Sequence, residues 1–136
     1  MSINLNSRDF SNTGLNSPAE KMRAMAIITA TDDTAGLNKI GFSLTVLLQK
    51  SSFKDACYVM GQWATEPVRR SPGKFIRFPA AGKEALRTRA DAMLDHLAAR
   101  PDLTDPNIHA LKAFMHNAID QEITYLGNRD SMAQSA

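Results

Sequence analysis

With 136 residues, 43% of them apolar and 22% charged, the chain is sized for one domain and too hydrophobic to stay unfolded. Its single cysteine, Cys57, excludes an internal disulfide, and the amino-terminal MSINLNSRDF lacks the basic-then-apolar layout of a secretory signal, so a reducing cytoplasm is the expected compartment. The net charge is +2, and no apolar run approaches the roughly 18 residues of a bilayer-spanning helix, which excludes a membrane span.

Residues 1–16 are rich in Asn and Ser, show no apolar period, and read as a flexible arm. Ser17-Pro18-Ala19-Glu20 then opens a helix: Ser17 caps, Pro18 suits the first turn because it has no N–H to leave unbonded, and Glu20 completes a capping box. Met22, Met25, Ala26 and Thr29 are its expected inner face, and Asp32-Asp33 its end. From Ala35 to Gln49 two periods compete. Leu37, Ile40, Leu44 and Leu47/Leu48 fit a helix, whereas Ile40, Phe42, Leu44, Val46 and Leu48 alternate like a strand; the incomplete set of intervening polar residues favours the helix.

Ser52 and Asp55 form a second capping box ahead of Ala56, Val59, Met60 and Trp63, which fall on one helical stripe and leave Lys54, Asp55, Tyr58 and Gln62 nearer solvent. Pro67 is expected to break this helix. Val68-Arg69-Arg70, Ser71-Pro72-Gly73 and Lys74-Phe75-Ile76-Arg77-Phe78 then read as strand, turn and strand, a basic β-hairpin over residues 68–78. A long helix follows to about Arg100 with the stripe Leu86, Ala90, Met93/Leu94 and Leu97. Asp105 as cap and Pro106 in the first turn start a last helix to about Leu126, with Ile108, Leu111, Met115, Ile119, Ile123 and Leu126 on one side and a flexible tail over 128–136. The expected fold class is therefore mostly α: five helices over residues 17–127 with one small hairpin. Apolar faces on the last two helices, Met115, Ile119 and Ile123 above all, suit a homodimer interface.

Charge is unevenly placed. Residues 69–89 hold Arg69, Arg70, Lys74, Arg77, Lys83, Arg87 and Arg89 against Glu84 alone, a local +6, whereas residues 90–136 sum to −4. Such a patch attracts phosphate backbones or acidic protein surfaces; the alternative is a set of cations that pair with the acidic C-terminal segment. No glycine-rich phosphate loop, CxxC or HExxH is present. Cys57 reads as a structural thiol beside an apolar stripe. His109 and His116 stand seven residues apart on one helix, about 10 Å along its axis, too far to share a metal. The methionines read as core filler, with a methionine-lined effector pocket as the alternative. No catalytic residue, metal or cofactor is expected.

In order, helix, helix, turn, helix, basic hairpin with a Pro-Gly tip and long helix resemble a winged helix-turn-helix of the MarR type over about residues 20–100. Ser52 to Val68 is similar to a recognition helix running into its wing, and Arg69-Arg70-Ser71-Pro72-Gly73-Lys74-Phe75-Ile76-Arg77-Phe78 to the wing itself. The resemblance implies a transcriptional regulator bound to double-stranded DNA: Ser52, Lys54 and Tyr58 on the recognition helix, and Arg69, Arg70, Lys74 and Arg77 on the wing. The competing reading is a small non-enzymatic interaction or inhibitor protein, its basic hairpin set against a protein or nucleoprotein partner with Phe75 and Phe78 as anchors.

Overall fold

Ser17 caps the first helix as its sequence dictates, its hydroxyl oxygen accepting from the Glu20 amide at 3.1 Å, and α1 (Pro18–Ile28) follows. The computed structural model describes residues 15, 17–50, 52–101 and 103–135, so the expected arm, apart from the fully buried Leu15, lies outside them. The face that α1 buries is Ala24, Ile27 and Ile28, whereas Met22 is 62% exposed. That corrects the expected face of Met22, Met25, Ala26 and Thr29: Met22 and Thr29 are exposed, Ala26 is partly buried, and Met25 packs at the edge of the core, so the buried stripe is rotated onto the apolar Ala24, Ile27 and Ile28.

α2 (Thr34–Lys50) resolves the competition between periods in favour of the helix, with Ile40, Leu44 and Leu47 fully buried and Phe42 turned out to solvent. Its start is fixed by Asp33, whose carboxylate accepts from the Gly36 amide at 2.9 Å and from the Thr31 hydroxyl at 2.7 Å. These bonds hold the Asp33 carboxyl below the usual carboxylate range. Gly36 is required here, since a Cβ would stand 1.8 Å from the Thr31 carbonyl oxygen.

α3 (Phe53–Arg70) starts at the expected Ser52 cap, whose hydroxyl oxygen accepts from the Asp55 amide, and it buries Ala56, Val59, Met60 and Trp63 as the stripe requires. Burial also raises the pKa of the Cys57 thiol, in keeping with an inert structural side chain. Two further features depart from the sequence reading. Asp55 is buried rather than solvent-facing, and the helix passes through Pro67 to Arg70. A proline inside a helix leaves the carbonyl four residues earlier without its N–H partner. Here that carbonyl belongs to Trp63, and it accepts a hydrogen bond from Arg89 Nη1 at 2.9 Å. The guanidinium, reaching over from a later helix, takes the place of the missing amide, lies 3.7 Å above the Trp63 ring, and binds the Asp32 carboxylate through Nε at 2.9 to 3.0 Å.

Beyond Arg70 there is no hairpin. The described residues contain six helices and no strand, and the expected wing is the end of α3, then α4 (Pro72–Arg77), then the entry to α5 (Pro79–Ala98). The two prolines mark the breaks between helices. Ser71 and Phe78 each precede one, which disfavours helical ψ, and their φ/ψ of −142°/66° and −132°/68° interrupt the chain for a single residue. Pro72 and Pro79 then sit where a helix tolerates proline best, in its first turn. Gly73 does not adopt the positive φ that a type II Pro-Gly turn demands. Phe75, expected as a strand residue and interface anchor, is only 5% exposed and lies on Gly82, where a Cβ would meet its ring at 2.5 Å.

α5 buries Leu86, Ala90, Met93, Leu94 and Leu97 as expected. α6 (Asp105–Ser135) is capped one residue earlier than expected, by Thr104, whose carbonyl accepts from the Ile108 amide at 3.0 Å and whose hydroxyl oxygen accepts weakly from the Asn107 amide at 3.4 Å. It continues past Gly127 through the stretch expected as a tail, a rod about 46 Å long at 1.5 Å per residue. Leu111, Met115, Ile119, Ile123 and Leu126 line its buried side, Met115 and Ile119 fully and Ile123 at 7% exposure, so the residues expected at a dimer interface are spent on the chain's own core. α3 is the hub: it touches every other helix, and eleven of its residues are buried. No helix among the described residues is long and apolar enough to cross a membrane.

Candidate functional site

The fold sorts the seven cations of residues 69–89 into two groups. Arg69, on the last turn of α3, bends back along its own helix: Nη2 and Nε donate to Glu66, Nη1 to the Thr65 hydroxyl at 2.8 Å, and Nη2 also to the Gln62 carbonyl. Glu66 is 1% exposed, so this arginine sets a positive charge against a buried carboxylate. Arg87 chelates Asp120 on α6 with two bonds of 2.8 Å, and Lys83 stands 3.9 Å from the same carboxylate. Arg89 is held by Asp32, the Trp63 carbonyl and the Trp63 ring. Part of the basic stretch thus serves the acidic C-terminal segment and the core, one of the two readings its charge allowed.

The other group, Arg70, Lys74 and Arg77, is exposed and makes no ion pair or hydrogen bond with any described residue. The three cluster on the end of α3 and on α4, a helix of barely two turns, where Ile76 at 37% and Phe78 at 58% exposure stand among them. Guanidinium and ammonium groups beside exposed aliphatic and aromatic carbon make a surface with both a charge and an apolar term to offer.

The remaining expected site residues do not join it. Ser52 and the exposed Lys54 lie at the opposite end of α3, about 25 Å from Arg70 by the helical rise. Tyr58 is half-buried in a groove of about 200 Å³ between α3 and α6, shared with Gly61, Gln62, Phe114, Gln121 and Glu122. Sequence reading missed Ile76, Phe114 and Glu122. The signal for the α6 pair was available, since Phe114, Ala118, Gln121, Glu122 and Tyr125 form a second helical stripe beside the buried one.

Among the described residues no group of three His, Cys, Asp or Glu side chains is placed to hold a metal ion. His116 Nε2 lies 2.8 Å from Asp91, joining α6 to α5. No protein-family model, no curated protein and no solved structure matches the chain.

Proposed function

We propose that the chain is a non-enzymatic binding module that docks an acidic protein surface on the α3–α4 corner. The observation that carries this reading is the mixture of three cations without a partner among the described residues, Arg70, Lys74 and Arg77, with two exposed apolar side chains, Ile76 and Phe78. An acidic surface with an apolar centre matches both terms, because Arg and aromatic side chains supply most of the energy at protein interfaces.

Duplex DNA is the alternative, and the same three cations would carry it. Three phosphate contacts release only about three counterions, which favours weak, salt-sensitive association. A major-groove helix also needs several basic or amide side chains on its free face, whereas Lys54 is the one cation α3 carries before its last turn. The wing itself is absent.

Titration with an acidic amphipathic peptide of alternating Glu and Leu, in parallel with random duplex of equal charge, separates the two. The peptide is expected to bind more tightly and to lose affinity on Phe78→Ala and on Arg70→Ala/Lys74→Ala/Arg77→Ala. Preferential duplex binding, indifferent to Phe78→Ala but abolished with the three cations, would overturn the reading in favour of nucleic acid.

A further inference from the structure

The groove between α3 and α6 faces a different chemistry from the corner. Gly61 lets α6 approach closely here; a Cβ on it would stand 2.9 Å from Cε1 of Phe114, so the ring lies directly against the α3 backbone. One wall is Tyr58 and Gln62, the other Phe114, Gln121 and Glu122. Glu122 is half-buried and makes no hydrogen bond or ion pair with any described residue. Phe114 is 41% exposed, its outer surface uncovered.

A partly shielded carboxylate in a groove that two aromatic side chains also line asks for a cation: the carboxylate by charge, the rings by their electron-rich faces. The cavity is about 200 Å³, below the roughly 300 Å³ at which drug-sized ligand sites begin, so it suits one side chain rather than a whole metabolite. Among biological cations a guanidinium fits best. It is planar enough to stack on an aromatic ring, it offers paired N–H groups to the Glu122 carboxylate, and it keeps further N–H groups for the Gln121 amide oxygen, whereas an ammonium is a compact point charge. We propose that this groove is a receptor for an arginine side chain presented by a partner protein, separate from the α3–α4 corner and opposite to it in sign.

The test uses the full chain and arginine amide as probe, followed by ¹H–¹⁵N NMR, with citrulline amide as the uncharged isostere and lysine amide as the ammonium control. Arginine amide is expected to shift the amide signals of Tyr58, Gly61, Gln121 and Glu122 in a saturable way while citrulline amide leaves them in place. Glu122→Gln should weaken binding about tenfold, the loss expected for a charge-assisted hydrogen-bond pair. Phe114→Ala should weaken it as well, and Glu84→Gln, an exposed carboxylate elsewhere, should not. Shifts spread evenly over the acidic surface, undiminished binding by Glu122→Gln, or lysine amide binding as tightly as arginine amide would each overturn the assignment. Because none of these readouts involves Arg70, Lys74 or Arg77, the outcome is independent of what docks on the corner.

Discussion

Two regions drawn from one basic stretch behave in opposite ways. At the α5 seam the cations Arg87 and Arg89 are locked, one on Asp120 and one on Asp32 and Trp63. At the α3–α4 corner Arg70, Lys74 and Arg77 have no internal partner among the described residues. Sequence charge density alone does not distinguish them. A cation's role is set by whether its helix phase aims it at an acidic neighbour, so a local +6 overstates the charge a partner can meet.

The contrast breaks first at Arg89, where the largest effect is expected. Arg89→Ala removes the substitute donor to the Trp63 carbonyl, the Asp32 pair and the ring contact, and should cost about 2 to 3 kcal/mol in urea denaturation; Arg89→Lys should recover only part of it, because an ammonium cannot serve all three partners in one geometry. If Arg89→Ala costs no more than Arg70→Ala, the division between locked and available cations is wrong. Next, Gly82→Ala drives a Cβ into the Phe75 ring and should cost about 1 to 3 kcal/mol as an overpacked contact, with loosening of α4 visible as faster amide exchange there.

Arg87→Ala should cost less, about 0.5 to 1 kcal/mol, since both partners are close to 40% exposed and solvent screens the pair; a double-mutant cycle with Asp120→Ala isolates it. Asp33 gives an effect confined to acid. Its folded carboxyl is lowered, so the stability it contributes is present above the ordinary carboxylate range and lost as pH falls through the folded value. Asp33→Asn should therefore flatten the acid limb of a stability–pH curve without changing its shape near neutrality. The smallest stability effect belongs to the corner: Arg70→Ala, Lys74→Ala and Arg77→Ala should each stay within about 0.5 kcal/mol of the parent, while the three together abolish capture of the acidic peptide.

Helices with regular stripes were legible in the sequence. The caps at Ser17 and Ser52, the α5 stripe from Leu86 to Leu97 and the α6 stripe from Leu111 to Leu126 all stand where periodicity put them. Residues 67–82 were not legible, because each local signal there admits two geometries. Pro72-Gly73 suits a turn or a helix start, and Phe75-Ile76-Arg77-Phe78 suits a strand or a short helix anchored by one ring. The choice was made by packing that no single local signal reports, Phe75 on Gly82 seven residues later and Arg89 on Trp63 from 26 residues away. For the same reason three of the four cations assigned to the wing, Arg70, Lys74 and Arg77, remain at a surface, whereas Arg69, Phe75, Met115, Ile119 and Ile123 turned inward.

The hydrogen bond from Arg89 to Trp63 also sets an order of events. Until residue 89 has emerged from the ribosome, the turn ahead of Pro67 has an unanswered carbonyl, so a nascent chain ending near residue 78 should fray from Trp63 onward and recover once α5 arrives. It further ties two distant positions into one inherited unit. A chain that replaced Pro67 with alanine would supply its own amide and release Arg89 from that one duty while the Asp32 pair and the Trp63 ring contact remain, so Arg89→Ala should cost less in a Pro67→Ala background.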